Sequence, residues 1–218
     1  MNGRVLLLCA GNNEHWKSPA PKQLIRVADN EVLIARTIRQ CKTRFSGEDP
    51  LLISHLPSLR SYSHNAIFPR KRRYAIETLF SSRPLWGEAW TIVLLGDVFY
   101  TDALINLVID EREKHKYKFY GTSTEIYACT FTDNSLIASI SEIIVCYAEN
   151  GRCRGKLWDL YYALSGVRVE QSNEGRILLN EESDAEHYYT VHDGSSDFDT
   201  LEQYSQWLKK YEHKEIKL

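Results

Sequence analysis

Three runs of the chain, VLLLC at 5–9, LLIS at 51–54 and TIVLL at 91–95, are apolar almost without interruption. A strand with one wet face alternates apolar and polar residues, so unbroken runs of this length indicate strands covered on both faces, as in a parallel sheet between two layers of helices. Helical patterns lie between them. Residues 32–42 carry Leu33, Ile34 and Ile38 on one stripe, residues 74–81 carry Ala75, Ile76 and Leu79, and residues 102–116 carry Leu104, Leu107 and Val108. Strands alternating with helices predict an α/β chain with a mostly parallel central sheet.

Beyond residue 116 the texture changes to YKFYGTSTEIYACTFT, aromatic and threonine-rich at alternating spacing, which predicts continuation of the sheet and a lobe. Helices are expected over 135–148 and 157–164, short strands over 167–170, 177–179 and 189–191, and a closing amphipathic helix over 201–211 with Leu201, Tyr204 and Leu208 on its stripe. A length of 218 residues suits one domain with one sizeable core.

Composition excludes several classes of function. A net charge of −2 gives no overall pull toward nucleic acid or an acidic membrane surface, so any anionic ligand must be held by local charge. Arg70, Lys71, Arg72 and Arg73 form the one basic run, read as a solvated loop face. The five cysteines, Cys9, Cys41, Cys129, Cys146 and Cys153, contain no CxxC spacing and predict neither a disulfide framework nor a zinc site, in keeping with a cytoplasmic protein. The apolar run at 5–10 is too short for a signal peptide, and no stretch approaches the ~20 apolar residues that span a bilayer.

In a sheet of this kind ligands sit where strands end and loops turn into helices. Three stretches fall there. In CAGNNEHWKSPAPKQL, Gly11 ends the first strand without a side chain, which lets backbone N–H groups approach an anion, and Lys22 adds a full charge. In LLGDVFYTDAL, Asp97 is the first residue able to project beyond the third buried strand, while Thr101 or Asp102 suits the cap of the next helix. In VHDGSSDFDTLEQY, Asp197 and Asp199 are two apart and share one side of an extended segment, unless either serves only to cap the helix that follows. No Ser/His/Asp or Cys/His triad is evident.

The order of these stretches resembles the nucleotidyltransferases of GT-A-like α/β fold, which include sugar-1-phosphate nucleotidylyltransferases, the molybdenum-cofactor guanylyltransferase and phosphocholine cytidylyltransferases. VLLLCAGNNEHWKSPAPKQL stands where that family has L-A-A-G-x-G-x-R and P-K-x-L, IVLLGDVFYTDAL matches its central strand and metal-binding aspartate, and DFDTLEQYSQWL resembles its terminal D-I-D-T-x-E-D-Y. The resemblance implies a three-layer, Rossmann-like, mixed but mostly parallel sheet with helices on both faces. It divides the chain into a nucleotide-binding half at 1–116, an acceptor-binding part at 117–192, and a metal-site strand end with closing helix at 193–218. Ala10, Gly11, Asn12 and Asn13 would cradle the nucleotide, and Lys22 would contact phosphate. Asp97 would bind Mg²⁺, and Asp197 or Asp199, with a slight preference for Asp199, would complete the metal site. The family's second glycine and its arginine are replaced by Asn13 and His15, so triphosphate charge would fall to Lys22, Lys17, His15 or Arg73.

The reaction implied is transfer of a nucleoside monophosphate from a nucleoside triphosphate to a small phosphorylated acceptor, a sugar 1-phosphate or phosphocholine, with release of pyrophosphate. An acceptor phosphate is mostly ionised at neutral pH, its second pKa being ~6, so Lys22, Asp97 and Asp199 can act by positioning and neutralisation without a general base. Trp158 and Tyr188, with neighbouring tyrosines, are the candidate acceptor contacts, since a quaternary ammonium is attracted to aromatic faces, although rings at helical spacing also suit a core. Alternatives are a catalytically impaired nucleotide-binding relative and a GT-A glycosyltransferase. Lys22 is expected to be exposed, its removal changing stability by no more than about 0.5 kcal/mol.

Overall fold

The computed structural model describes residues 3–11, 16–45, 49–169 and 186–212. The chain folds as β1 (Gly3–Leu8), β2 (Arg26–Ala28), β3 (Glu31–Val32), α1 (Leu33–Arg44), β4 (Leu51–Ile53), β5 (Ala66–Ile67), α2 (Ala75–Ser81), β6 (Trp90–Leu95), β7 (Val98–Phe99), α3 (Asp102–Glu111), β8 (Tyr117–Gly121), β9 (Ile126–Phe131), α4 (Asn134–Glu149), α5 (Leu157–Leu164), β10 (Tyr188–Thr190), β11 (Ser196–Asp197) and α6 (Leu201–Glu212).

Seven strands form one sheet in the order β10-β8-β9-β6-β1-β4-β5. β1 lies parallel between β4 and β6, and β4 parallel to β5. β9 runs antiparallel to both of its neighbours, and β10 parallel to β8, so β9 alone points against the other six. Because the side-chain period of a strand is two, β1 sends Leu6 and Leu8 into one core and Val5 and Leu7 into the other. The first core collects Ile76 and Leu79 of α2, Ile137 and Ile144 of α4, and Leu160 and Tyr161 of α5. The second collects Ile34 and Ile38 of α1 and Leu104, Ile105 and Val108 of α3. The result is three layers with a mixed, mostly parallel sheet in the middle, and the uninterrupted apolar runs are the strands that both cores cover.

Helix limits follow local chemistry. α3 starts where the Thr101 hydroxyl accepts from the Leu104 N–H at 3.1 Å, and it stops at Glu111 rather than continuing to 116. α5 ends in a turn through Gly166 at φ 76°, with the Gly166 N–H on the Ala163 carbonyl and the Val167 N–H on the Tyr162 carbonyl. That turn uses the amide of Val167, so the strand expected over 167–170 does not form at its described residues, 167–169. The strand expected over 177–179 lies outside the described residues. In α6 the buried side chain is Trp207, with Tyr204 and Leu208 packed beside it, whereas Leu201 is exposed. All five cysteines are free, and no described helix is long and apolar enough to cross a membrane.

Candidate active site

The carboxyl ends of β1 and β6 lie side by side. Gly96 follows β6 directly, its N–H bonding the Leu8 carbonyl at 2.9 Å, and a Cβ built there would stand 2.0 Å from the Cys9 sulfur. Only a residue without a side chain lets β6 pass Cys9 this closely, and the next residue, Asp97, emerges at the sheet edge. Tyr100 fixes that exit. Fully buried, its hydroxyl accepts from the Leu95 N–H at 2.9 Å and donates to the Tyr127 carbonyl of β9 at 2.6 Å.

The C-terminal segment reaches the same place by strand pairing. β11 is antiparallel to β7, which sets Asp197 opposite Val98 and Ser196 opposite Phe99, one residue beyond Asp97. The Thr101 N–H donates to the Ser195 hydroxyl at 3.0 Å, and the Thr101 hydroxyl donates to the Asp193 carboxylate, tying the start of α3 to this segment. Phe198 is fully buried against Phe99 and Trp207. Alternation along the extended segment then turns its flanking residues, Asp197 and Asp199, the other way. Neither aspartate caps α6. Thr200 does so, accepting from the Gln203 N–H at 3.2 Å, while the Gln203 side-chain oxygen accepts from the N–H groups of Asp199 and Thr200 at 2.7 and 3.0 Å.

Lys22 enters from a third direction. Its ammonium stands 2.7 Å from Asp97 Oδ2 and donates to Asp199 Oδ1 at 3.4 Å. The lysine is 7% exposed, which corrects the expectation of an exposed side chain: Lys22 opens the short helical turn Lys22–Leu24, and its ammonium is drawn inward to Asp97 and Asp199. Burial works against the ammonium charge, but Asp97, Asp199 and Asp197 outweigh it and hold its pKa above the ordinary lysine value. Trp16 keeps the loop in place, its indole N–H donating to the Ala20 carbonyl at 2.8 Å and its ring meeting Tyr204 of α6 edge-on at 6.4 Å.

The negative charge at this edge exceeds what Lys22 neutralises. Burial, then the charges of Asp97, Asp199 and Glu125, push the Asp197 carboxyl up to about 7 against the counter-effect of Lys22. Glu125 was not anticipated from the sequence. Burial raises its pKa, Lys156 opposes that, and Asp199 and Asp97 add to it. The reversed direction of β9 explains its position. β6 and β9 pair as Thr91 with Phe131 through Leu94 with Ala128, so the residues just before β9 lie toward the same sheet edge as those just after β6, with the Tyr100 hydroxyl bridging Leu95 and Tyr127 where the pairing stops. Lys156, at the start of α5, lies 3.8 Å from Glu125. A chain direction contrary to its neighbours is the signal that finds this residue, and a linear motif does not carry it.

Among the described residues no group of three or more His, Cys, Asp and Glu side chains is placed to hold a metal ion. The donor chemistry nevertheless suits Mg²⁺, a hard cation that takes oxygen ligands and needs only one or two carboxylates. An aspartate whose ionisation is disfavoured by its own neighbours is a carboxylate short of positive charge.

The remaining predicted positions are distributed differently. Ala10 is buried and Gly11 exposed at the end of β1, Lys17 is exposed beside Trp16, and Asn12, Asn13 and His15 lie outside the described residues. Arg73 precedes α2 with its guanidinium 5.1 Å from the Tyr74 ring, on a different element from Lys22 and the aspartates. Trp158 and Tyr188 are each 4% exposed in the first core, Tyr188 edge-on to Tyr161 at 5.1 Å and Trp158 tilted against Tyr162 at 5.9 Å. Their rings pack rather than form an open cage. A cavity of about 170 Å³ lined by Arg4, Phe45, Leu51 and Trp90 lies at the opposite ends of the strands and has no part in this constellation.

No protein-family model matches the sequence, and neither does any curated protein. Solved structures do match in fold. A UDP-glucose pyrophosphorylase complexed with UDP-glucose superposes with a TM-score of 0.61 at 13% identity, covering 97% of this chain and 99% of that one. A mannose-1-phosphate geranyltransferase from Thermus thermophilus superposes with a TM-score of 0.60 at 11% identity, covering 98% of this chain and 81% of that one. A putative glucose-1-phosphate thymidylyltransferase from Bacillus anthracis gives 0.57 at 11% identity, with 97% and 96% covered. The chain therefore has the α/β fold of the sugar-phosphate nucleotidyltransferases, over nearly its whole length.

Proposed function

We propose that the protein is a Mg²⁺-dependent nucleotidyltransferase that moves a nucleoside monophosphate from a nucleoside triphosphate to a small phosphorylated acceptor. The observation that carries this reading is Lys22, a buried ammonium held between Asp97 and Asp199 at the carboxyl ends of β1 and β6. The structural neighbours, named for transfer to sugar phosphates and for nucleotide sugars, support the same reading.

The reaction joins an acceptor phosphate oxygen to the α-phosphorus and breaks the bond from the α-phosphorus to the bridging oxygen, so that pyrophosphate leaves with that electron pair. The acceptor is already ionised, its second pKa being ~6, and no side chain has to remove a proton. Asp97 and Asp199, with Asp197 beside them, would hold Mg²⁺, which when bound neutralises phosphate charge and shields these carboxylates from the incoming triphosphate. Lys22 donates to phosphate oxygens from a position fixed before the ligand arrives, and a preorganised charge costs little rearrangement as the transition state forms. Gly11 leaves the end of β1 open to phosphate approach, next to Ala10, and Asn12 and Asn13, which follow in sequence, are proposed for the same cradle. Lys17, His15 and Arg73 are the further cations proposed for the triphosphate.

Incubation with ATP, CTP, GTP or UTP, Mg²⁺ and a panel of phosphorylated acceptors tests the reading through pyrophosphate release. Release that depends on both Mg²⁺ and acceptor is the expected result. Nucleoside diphosphate release from a nucleotide sugar would instead indicate a glycosyltransferase, and triphosphate binding without turnover an impaired relative.

A further inference from the structure

A single nitrogen, Nζ of Lys22, lies 2.7 Å from Oδ2 of Asp97 and 3.4 Å from Oδ1 of Asp199, and so bridges the two carboxylates that the proposed function assigns to Mg²⁺. Any cation shared by both carboxylates competes with the ammonium for its partners. The three side chains differ in exposure: 8% for Lys22, 26% for Asp97 and 51% for Asp199. The carboxylates are thus open to solvent on one side, where water can replace a lost partner. The ammonium is not, and among the described residues these two are its ion-pair partners. Taking them away leaves a buried charge without compensation, the costly outcome of breaking such a pair. Burial already works against that charge, and Asp97, Asp199 and Asp197 are what sustain it.

The anchor of the ammonium is fixed while its tip is free to turn. Lys22 opens a turn in which the Leu24 and Ile25 N–H groups donate to the Pro21 and Lys22 carbonyls at 2.9 and 3.2 Å, and its four-carbon stem carries the charge on rotatable bonds. We propose that Lys22 is the resident cation of this carboxylate site, excluding a divalent metal that arrives alone and yielding Asp97 and Asp199 only when a triphosphate offers the ammonium new partners. Lys22 thereby couples the two ligands. It surrenders two carboxylates as it gains phosphate oxygens, and neither ligand alone supplies both halves of that exchange. By linkage, each ligand raises the affinity for the other by the same factor. This inference rests on the metal and triphosphate binding of the proposed function, and it concerns how the site fills rather than the transfer itself.

Titration of the full chain with Mn²⁺ alone, an oxygen-ligated substitute for Mg²⁺ whose free form is counted by electron paramagnetic resonance, reads the exchange without turnover. Lys22→Met should bind Mn²⁺ about tenfold or more tightly than wild type, since a half-buried ion pair no longer has to be broken. A second measurement uses wild type only. Acetylation of the Lys22 amine, followed by mass spectrometry against the exposed Lys114 as reference, should speed up severalfold at Mn²⁺ concentrations that fill the wild-type site. It should slow again when ATP, CTP, GTP or UTP is added. A lysine that only raises the local potential gives the first result without the second. Equal Mn²⁺ affinity in the two proteins, or Lys22 acetylation unchanged once the site is filled, overturns the assignment and leaves the transfer reaction standing. Both expected results without pyrophosphate release from any acceptor uphold the exchange and remove the transfer reaction. Mn²⁺ bound by neither protein removes the metal site, and the assignment with it.

Discussion

Lys22 is buried because three carboxylates make its burial tolerable, and the dependence is mutual. Replacing it with methionine keeps the stem and removes the charge, leaving Asp97, Asp197 and Asp199 to repel one another. The loss lies between that of a surface pair and that of a fully buried one, because Asp199 is half exposed. Lys22→Met is expected to lower unfolding stability by about 1–3 kcal/mol in urea titration and to abolish pyrophosphate release while the chain remains folded. Asp197 gives the opposite sign. Its carboxyl is raised to about 7 in the fold, above its unfolded value. Below the unfolded pKa both states are protonated and the group contributes nothing. As pH rises toward 7 the unfolded chain loses its proton first and is favoured, so the metal-free protein loses stability over that window. Asp197→Asn removes the penalty. Its stability should exceed that of wild type by on the order of 2–4 kcal/mol at pH 8 and match it near pH 3.5, as read by paired denaturation curves, although the variant turns over poorly. Equal stabilities at both pH values would show that Asp197 ionises normally in the fold.

At the level of elements, the unbroken apolar runs disclosed β1, β4 and β6, and their flanking stripes disclosed α1, α2 and α3, because a strand or helix covered on a known face writes its period into the sequence. β9 and β8 were legible as extended chain but not in direction. Alternating aromatics fix neither parallel nor antiparallel pairing, and Glu125 reaches the site only through that direction. The motif resemblance assigned Lys22 to phosphate and Asp97 with Asp197 or Asp199 to a metal ion; neither the ion pairs of Lys22 with Asp97 and Asp199 nor its burial was legible, since a short helical turn after two prolines carries no apolar period. The closing helix was placed correctly and Tyr204 and Leu208 of its stripe do pack inward, but its anchor is Trp207, and Leu201 is exposed. That anchor joins two parts of the site. Trp207 meets Phe198, between the two aspartates, edge-on at 5.2 Å and stacks with Tyr204 at 6.3 Å, and Tyr204 meets Trp16 on the Lys22 loop. Trp207→Ala should therefore cost about 3–5 kcal/mol, the usual range for a buried tryptophan, and lower turnover more than the fraction unfolded accounts for. A variant whose turnover per folded molecule equals that of wild type would separate α6 from the site.

For the molecule as a whole, residues 22, 97 and 197–199 meet at one edge, at the ends of strands that two helical layers cover. The site is thus a seam between segments far apart in sequence, held by β7 and β11, by α6 on Trp16, and by Lys22 across the middle. A seam whose carboxylates outnumber its cations is strained toward opening, and a ligand that brings Mg²⁺ and phosphate closes the charge balance on both sides at once. Binding should then tighten remote segments together rather than one by one. A ligand at 100 times its dissociation constant adds about 2.7 kcal/mol to stability. That gain is expected as slowed amide exchange in residues 16–25 and 196–204 in parallel when the triphosphate and Mg²⁺ are added. Asp97→Asn removes the carboxylate that pairs with Lys22 at 2.7 Å and that, under the proposed function, would share Mg²⁺ with Asp199 of the C-terminal segment. In that variant the nucleotide should still slow exchange in residues 16–25, through Lys22, while residues 196–204 no longer follow. Joint protection persisting in Asp97→Asn would mean that the segments are coupled through the aromatic packing of α6 alone, and that the charge seam does not transmit binding across the fold.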